Sequence, residues 1–231
     1  MFELRLAGLP VEDTARIYER TLRRVRYSEL STPDLLFSPA LKTGRHIMAI
    51  QAVYTDLMGL ILLILLSPVL LLTGLALAIF GGPGPALERL ECLGFQNVPF
   101  QLLRFRTRNA RSGAQTYFGD LIARLHLVNL PQLLNIIRGE MVFFGPRPVR
   151  REFAERLGQL LPFYYHRFSV KPGVIGWAQV NVPRRTVPPE PLRMEYDFYY
   201  IRQSSIALDF EILMRSILGG RRQPEVGEVT P

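Results

Sequence analysis

Arginines in two short patterns are suited to binding phosphate groups. Arg147 lies between two prolines, which fix the backbone and present a planar guanidinium group that matches phosphate oxygens. Arg104 and Arg106 flank Phe105 in a strand-like pattern, so both should lie on one face, where the pair could grip a diphosphate. For any one of these arginines alone, a solvated edge or an ion pair with a local acid is the simpler interpretation. Together they predict a phosphate site beside a membrane element.

The membrane element is Leu57–Phe80, a stretch of 24 residues with no charge. At about 1.5 Å per residue, a straight helix of this length reaches about 36 Å, enough to cross a bilayer core of about 30 Å. Ser67 and Pro68 lie at its centre. Proline removes a backbone donor and clashes with the preceding turn, so we expect a kink or break there. The Ser67 hydroxyl or neighbouring protein could satisfy the carbonyls that the proline leaves without a donor.

Two topologies fit this stretch: a kinked transmembrane anchor, or a re-entrant helical hairpin that enters and leaves the bilayer on the same face. Lys42 and Arg45 precede the stretch, and Arg89 and further arginines follow it. Positive residues mark the cytoplasmic side, so basic flanks at both ends favour re-entry. The charges leave both topologies open, because the downstream arginines could instead serve a site. A buried soluble helix fits poorly at this length.

Composition limits the partners. The net charge is +8, and nearly all of the 28 basic residues are arginines. Such a chain suits an anionic membrane surface or phosphate-bearing substrates. Nucleic-acid binding is disfavoured because the sequence has no recognised motif and no isolated basic helix. The single cysteine, Cys92, excludes an intrachain disulfide, and without His or Cys partners at ligand spacing it predicts no metal site.

The remaining sequence predicts a mixed α/β domain that is mostly helical. Apolar periodicity predicts helices at Val11–Tyr27, Leu130–Ile137, Arg150–Leu161, Pro191–Gln203 and Ile206–Leu218. It also predicts a strand at Val98–Phe105 and a short buried strand or turn at Met141–Phe144. The last helix is strongly apolar, so it could be a core helix or could lie in the membrane interface; the core position is favoured. We expect the polar tail from Gly219 to be mobile.

Five ordered motifs resemble one family, the bacterial sugar transferases, which are monotopic phosphoglycosyl transferases. These motifs are RFRT (104–107), LPQLLNIIRGEMVFFGPRP (130–148), YHRFSVKPGVIGWAQVN (165–181), EYDFYYI (195–201) and LDFEIL (208–213). The Ser67-Pro68 pair is also similar to the break in the family's re-entrant helix. The resemblance covers about residues 50 to 218, and its ordered motifs make it far more specific than a lone short pattern.

The resemblance implies a reaction at the cytoplasmic face of the bacterial inner membrane. A sugar 1-phosphate moves from a nucleotide diphosphate sugar to polyprenyl phosphate, and the nucleoside monophosphate is released. In the family an aspartate attacks the β-phosphate to form a covalent intermediate, and Mg²⁺ neutralises the diphosphate. Implied partners are polyprenyl phosphate, a nucleotide sugar and glycan-assembly proteins, in exopolysaccharide biosynthesis.

The chain departs from the family at its chemical centre. The family's Asp-Glu dyad lies directly before Leu-Pro-Gln, where this chain has Val128 and Asn129. Valine supplies no nucleophile, and asparagine supplies no charge to bind Mg²⁺. Glu140 could replace the missing carboxylate, and Asp120 is a weaker candidate. An acid at the position of Glu140 already belongs to the family motif, where bracing of the loop explains it better.

Other family positions are retained. The resemblance implies that four cations face phosphate: Arg104, Arg106, Arg147 and Lys171. It implies that five residues set the fold: Pro131, Gly139, Gly145, Gly173 and Trp177. The element before RFRT is not retained and reads Cys92-Leu93-Gly94.

We therefore predict four segments and weigh three functions. Residues 1–46 form an N-terminal helical segment that resembles the end of the extra domain of longer members, and residues 47–84 form a re-entrant membrane helix. Residues 85–218 form a small cytosolic phosphoglycosyl transferase domain, and residues 219–231 form a mobile tail. The first function is a membrane-bound sugar transferase with impaired catalysis, using Mg²⁺ if active. The second is a non-catalytic homologue that binds lipid phosphate or nucleotide sugar or partners an active transferase. The third is an anchored interaction module without a ligand.

Overall fold

The computed structural model describes residues 14–26, 40–110, 112–182 and 189–218. Its helices are α1 (Thr14–Leu22), α2 (Ala40–Phe80), α3 (Tyr117–Arg124), α4 (Gln132–Ile137), α5 (Arg151–Leu160), α6 (Trp177–Asn181), α7 (Glu190–Gln203) and α8 (Ile206–Leu218). Its strands are β1 (Leu87–Leu93), β2 (Pro99–Phe105), β3 (Val142–Phe144), β4 (Val149–Arg150) and β5 (Gly173–Ile175). The fold is mixed α/β and mostly helical, as predicted. The predicted mobile tail lies outside the described residues.

The chain divides into two compact units, and the predicted four segments stay a prediction. One unit is Met48–Ile175, and the other combines Met1–Ile47 with Gly176–Pro231. The first unit contains the apolar segment, the strands and the loops that hold Gly139, Gly145 and Gly173. The second contains α1 and the closing helices α6, α7 and α8.

Helix α2 runs without interruption through Pro68. The sequence predicted a kink or break there, and the helix does not break. The reason lies one residue before the proline: the Ser67 hydroxyl donates to the Ile64 carbonyl at 2.8 Å. Ile64 is four residues before Pro68, so its carbonyl is the one that lacks its usual amide donor. The predicted role of Ser67 is therefore confirmed.

Within α2, the segment Ala49–Phe80 is long and apolar enough to cross a membrane. One side of it is buried at both ends. Near the start, Gln51 and Thr55 are buried, and a Cβ added to Gly59 would lie 2.9 Å from the Ile136 side chain of α4. Near the end, Leu77 is fully buried with Phe105 of β2. Both ends of this segment therefore pack against the same compact unit.

Strand β1 pairs with β2 along seven antiparallel positions, from Leu87 opposite Phe105 to Leu93 opposite Pro99. The short β4 adds to the other edge of β1, which gives the order β2-β1-β4. A separate parallel pair joins β3 to β5. The predicted strand at Val98–Phe105 is confirmed from Pro99 onward, and the strand predicted at Met141–Phe144 is confirmed from Val142.

The second unit is built around Trp177, which is fully buried. The guanidinium groups of Arg23 and Arg215 each lie 4.7 Å from the Trp177 ring centroid. The Trp177 indole N–H donates to the Arg23 carbonyl at 2.9 Å. Arg23 in turn forms a two-pronged ion pair with Glu211 of α8, so the segment after α1 is fastened to the closing helices.

Helix α8 is apolar on two sides. Leu208 and Ile212 are buried, which confirms the predicted core position for that side. Asp209 is buried as well and accepts a hydrogen bond from the Tyr200 hydroxyl at 2.8 Å. Ile206 and Phe210 are exposed by 56% and 61%. The helix therefore uses only one of its apolar sides in the core of its unit.

Candidate functional site

Two loops that the sequence singled out are joined by backbone hydrogen bonds. Gly173 N–H donates to the Pro146 carbonyl at 2.8 Å, and Gly145 N–H donates to the Ile175 carbonyl at 3.0 Å. The approach requires glycine, because a Cβ added to Gly173 would lie 2.2 Å from the Gly145 nitrogen. The parallel β3–β5 pair thus brings the Gly-Pro-Arg-Pro loop against the Lys-Pro-Gly loop.

Each of these loops carries one cation. The Arg147 side chain is exposed, and its backbone carbonyl accepts a hydrogen bond from the Arg167 guanidinium group at 3.3 Å. Lys171 is half-buried, and its ammonium group would lie 3.7 Å from a Cβ added to Gly139. Gly139 has a φ of +72°, which keeps the turn after α4 close to this lysine. Two cations on adjoining loops are a suitable arrangement for binding phosphate oxygens.

A cavity of about 210 Å³ lies beside Lys171. It is lined by Ala49, Gln51, Phe95, Val142 and Lys171. The Gln51 side-chain amide donates to the Phe144 carbonyl at 3.0 Å, which ties the start of the apolar segment to β3. A cavity with apolar walls and one cation can accept an anionic group attached to an apolar chain.

Arg104 and Arg106 have other partners. Arg104 lies opposite Glu88 in the β1–β2 ladder, and its guanidinium group binds the Glu88 carboxylate at 2.8 Å. Arg106 follows the end of β2 and is buried. It donates to the carbonyls of Gly81, Gly82 and Pro83. Arg106 therefore satisfies carbonyls at the C-terminal end of α2. Phosphate binding by these two arginines stays a prediction, and their present partners compete with it.

Val128 and Asn129 are the two residues that the resemblance assigns to the position of the family dyad. They lie on a 3₁₀ turn, Leu127–Asn129, preceded by His126 in the left-handed region at φ +58°. The Val128 side chain packs against the buried cluster of Leu77, Phe105 and Ile122. The Asn129 side chain is exposed, and its oxygen accepts a hydrogen bond from Gln132 at 3.2 Å. At residue 128 the structure therefore presents hydrocarbon and no nucleophile.

Glu140 braces the turn after α4. The Asn135 side-chain amide donates to its carboxylate at 2.6 Å, and Glu140 N–H donates to the Asn135 carbonyl at 3.0 Å. Asp120, the other substitute considered, forms an ion pair with Arg124 at 2.6 Å. Replacement of the missing nucleophile by either carboxylate stays a prediction. Both carboxylates already have partners that hold their own segments together.

Residues 128 and 129 offer no carboxylate to hold Mg²⁺. No group of three His, Cys, Asp or Glu residues that could hold a metal occurs in the part of the chain that the structure describes. Asn129 offers a neutral amide oxygen where the resemblance implies a carboxylate, and hard divalent cations favour charged oxygens. No chemical step of this chain is therefore assigned to a metal.

A family model described as "Bacterial sugar transferase" matches residues 48–221. The match begins at the apolar segment and extends through α8. The chain belongs to the bacterial sugar transferase family. The predicted membership is thus confirmed, and the loops described above are the segments that carry its motifs.

Curated relatives agree with this membership. An Aeromonas hydrophila UDP-N-acetylgalactosamine-undecaprenyl-phosphate N-acetylgalactosaminephosphotransferase is 32% identical over 92% of this chain and 52% of its own length. The Escherichia coli UDP-glucose:undecaprenyl-phosphate glucose-1-phosphate transferase is 32% identical over 69% of this chain and 38% of its own length. An uncharacterized Bacillus subtilis sugar transferase is 31% identical over 70% of this chain and 83% of its own length. The chain thus spans about half or less of the length of the first two relatives.

Sequence reasoning missed two residues that organise the site. Gln51 lines the cavity and donates a hydrogen bond to the Phe144 carbonyl. The sequence feature that could have identified it is a polar residue one helical turn before Thr55, at the start of an apolar helix. Asn135 is fully buried, and its side chain forms hydrogen bonds with three other residues. The sequence feature that could have identified it is a polar residue on the apolar side of a predicted helix. A buried amide of this kind needs hydrogen-bonding partners, so it should have been expected to organise its surroundings.

Proposed function

We propose that the protein is a membrane-bound sugar transferase homologue that recognises a nucleotide diphosphate sugar and polyprenyl phosphate but is catalytically impaired. The names of the relatives support the two substrate classes. The observation that carries the impairment is the packing of Val128 against Leu77, Phe105 and Ile122. The family's route needs a carboxylate oxygen that attacks the β-phosphorus and displaces the nucleoside monophosphate. An isopropyl group has no lone pair to form that bond.

The deciding experiment restores the dyad. The unmodified protein, Val128→Asp, Asn129→Glu and the double variant are purified in detergent. Transfer of radiolabelled sugar phosphate from UDP-glucose or UDP-N-acetylgalactosamine to undecaprenyl phosphate is then measured with added Mg²⁺. We expect little turnover by the unmodified protein. The double variant should exceed both single variants, because residues that act as a unit are non-additive.

Glu140→Gln serves as the second arm of this experiment. Robust turnover by the unmodified protein that is lost in Glu140→Gln would show that Glu140 has replaced the missing nucleophile. The proposal of impaired catalysis would then be wrong. No turnover by a folded double variant would show that the change extends beyond the dyad. The segment Cys92-Leu93-Gly94, which also departs from the family pattern, is the next place to look.

A second candidate function is ligand binding without transfer, in support of an active transferase. The joined loops favour it: Arg147 and Lys171 stand on adjoining backbone segments although the dyad position carries valine. In this function the cations hold phosphate oxygens, and the cavity beside Lys171 takes the apolar part of a lipid phosphate. Ligand binding by the unmodified protein, together with no turnover by the folded double variant, would favour this second function over the first.

We propose that the apolar segment bends at Pro68 within the bilayer, where the structure has a continuous helix, and so enters and leaves the bilayer on its cytoplasmic face. The packing of α2 supports this topology. Gln51 near its start binds the Phe144 carbonyl, and Leu77 near its end packs against Phe105. A charged, hydrogen-bonded unit does not divide itself across a hydrocarbon core, so contacts at both ends favour a common side. The basic residues before and after the segment favour the cytoplasmic side, at the bacterial inner membrane.

A further inference from the structure

Arg167 is a buried arginine in the turn that precedes β5. Only 4% of it is exposed, and arginine is rarely buried this deeply because its charge loses hydration. Its guanidinium group donates to the Tyr164 hydroxyl at 2.8 Å and to the Arg147 carbonyl at 3.3 Å. The second acceptor belongs to the Gly-Pro-Arg-Pro loop, so this side chain connects the interior of the unit to the candidate phosphate site.

Aromatic rings hold the Arg167 guanidinium group in place. It lies 5.2 Å from the centroid of the Tyr164 ring and 5.9 Å from the centroid of the Phe168 ring. These two rings pack edge to face at 6.1 Å, and both residues are buried. A planar guanidinium group held against aromatic rings keeps its N–H groups in a fixed direction. Arg167 therefore presents a preoriented donor to the Arg147 carbonyl.

The Gly-Pro-Arg-Pro loop, residues 145–148, has few backbone donors of its own. Its two prolines have no N–H, so its four residues supply only two donors. The loop therefore depends on groups outside it to fix its conformation. Gly173 N–H is one such group and donates to the Pro146 carbonyl at 2.8 Å. The Arg167 side chain is another.

These two contacts hold the peptide planes on both sides of the Arg147 Cα atom. The Pro146 carbonyl lies in the plane before this atom, and the Arg147 carbonyl lies in the plane after it. Because peptide groups are planar, holding both planes sets the φ and ψ angles of Arg147. Those angles set the direction of its Cα–Cβ bond and hence the region that its guanidinium group can reach. A main-chain donor holds one plane, and the Arg167 side chain holds the other.

We propose that Arg167 is a positioning residue for phosphate recognition and acts by fixing the direction in which the Arg147 side chain leaves its loop. The inference rests on the proposed function, in which Arg147 holds phosphate oxygens of a nucleotide diphosphate sugar. Arg147 is exposed and Arg167 is buried, so Arg167 acts through its neighbour without touching the ligand. A binding group that is oriented before the ligand arrives loses less conformational entropy on binding.

A double-mutant cycle tests the coupling between the two arginines. Binding of UDP-glucose is measured by isothermal titration for the unmodified protein, Arg147→Ala, Arg167→Lys and the variant with both changes. Lysine keeps the positive charge but lacks the fork that reaches two oxygens at once. We expect Arg167→Lys to weaken binding about fivefold in the presence of Arg147 and less than about twofold after Arg147→Ala. Arg156→Lys, at an exposed arginine of α5, is the matched control and should bind like the unmodified protein.

Hydrogen exchange of the ligand-free protein measures the order of the loop without relying on recognition. In Arg167→Lys, the peptide that spans residues 144–150 should exchange faster, while α4 keeps its exchange rate. Faster exchange in both segments would mean that the whole unit is loosened, which contradicts a positioning role. Tyr164→Phe removes one hydrogen bond to Arg167 and keeps the ring, so it should give a smaller change of the same kind. If Arg167→Lys does not fold, Tyr164→Phe replaces it in both measurements.

The outcomes separate this inference from the proposed function. An equal loss of binding on Arg167→Lys with and without Arg147 would overturn positioning through Arg147 and leave ligand recognition standing. No binding by the unmodified protein, together with faster exchange of residues 144–150 alone in Arg167→Lys, would overturn ligand recognition and leave the positioning of Arg147 standing. Unchanged exchange of residues 144–150 would overturn the positioning role whatever the binding result.

Discussion

Asn135 connects three parts of the first unit through one side chain. Its amide donates to the Gln101 carbonyl at 2.7 Å and to Glu140 at 2.6 Å, and its oxygen accepts Leu103 N–H at 3.0 Å. Gln101 and Leu103 lie on the edge of β2 that no strand covers in the sheet order β2-β1-β4. Backbone N–H and C=O groups at the edge of a sheet cost free energy when they are buried without hydrogen-bond partners. The Asn135 side chain supplies such partners, as a neighbouring strand would.

We expect Asn135→Ala to destabilise the protein severely. It leaves the buried Leu103 N–H without a partner, at about 1–3 kcal/mol, and removes the donor to the partly buried Gln101 carbonyl. Glu140→Gln is the matched control, because it keeps an oxygen that can accept from Asn135, and its effect should be small. Guanidinium unfolding in mild detergent measures both variants. Equal stability of Asn135→Ala and the unmodified protein would contradict the assigned role.

Arg147 carries the prediction on ligand binding. Arg147→Ala should weaken binding of UDP-glucose or undecaprenyl phosphate by about 1.5–3 kcal/mol, the range for a charge-assisted hydrogen bond. Arg147→Lys should restore only part of this, because lysine lacks the planar fork. Arg156→Ala, at an exposed arginine of α5, is the control. If isothermal titration shows no binding by the unmodified protein, the retained cations are structural, and the function without a ligand is favoured.

Single-residue roles were only partly predictable from the sequence. Ser67 was predicted correctly, because the carbonyl freed by a proline lies within reach of a neighbouring hydroxyl. Arg104 and Arg106 look equivalent in the sequence, yet one binds Glu88 and the other binds the carbonyls after α2. That difference depends on where β2 ends and on how α2 approaches it. Both are tertiary facts that alternation along one strand does not contain.

At the scale of elements, the segment directly after α1 and helix α8 are linked by a pH-sensitive contact between Arg23 and Glu211. Glu211 accepts two hydrogen bonds from Arg23 and also contacts Arg215 at 2.7 Å. The hydrogen bonds from Arg23 are the main cause of a lowered Glu211 pKa. A lowered folded-state pKa stabilises the fold above the ordinary glutamate value of about 4.3. This contribution is lost as pH falls through the folded-state pKa.

Unfolding measured as a function of pH tests this contact. Between about pH 5 and 3, the unmodified protein should lose stability more steeply than Glu211→Gln. Because both partners are about one-third exposed, we expect a modest difference at neutral pH, about 1 kcal/mol. Glu152→Gln, at an exposed glutamate on α5, is the control and should keep the steep slope. Identical slopes for Glu211→Gln and the unmodified protein would refute the contribution.

Elements with strong periodicity were predicted well, and elements fixed by distant partners were not. The helix at Ile206–Leu218 has the predicted bounds, because its apolar spacing extends over its whole length. Strand β1 was missed: LERLECL mixes charges with leucines and resembles a helix, and only its seven-residue ladder with β2 makes it a strand. Helix α3 was missed because it is short, and its exposed side is apolar where amphipathic patterns lead one to expect polar residues.

At the scale of the whole molecule, the topology of α2 can be read from its flanks. With Cys92→Ala as background, single cysteines replace Arg45 or Arg89 in intact cells, and an impermeant maleimide is added from outside. We expect neither cysteine to be labelled until the inner membrane is opened, because both flanks should lie on the cytoplasmic side. A cysteine at an established periplasmic loop of another protein is the control. Labelling of either position in intact cells would refute same-face entry.

If α2 lies in the bilayer as proposed, its burial at both ends constrains how the protein meets bilayers of different thickness. Most membrane helices relieve hydrophobic mismatch by changing their tilt. Here Gln51 is bound to the Phe144 carbonyl, and Leu77 is packed against Phe105, so tilting the helix would pull apart its own unit. Lipid must therefore deform around the protein, or the unit must rise and sink as one body. Acyl-chain length should then change how deep the whole unit lies and leave its internal packing intact.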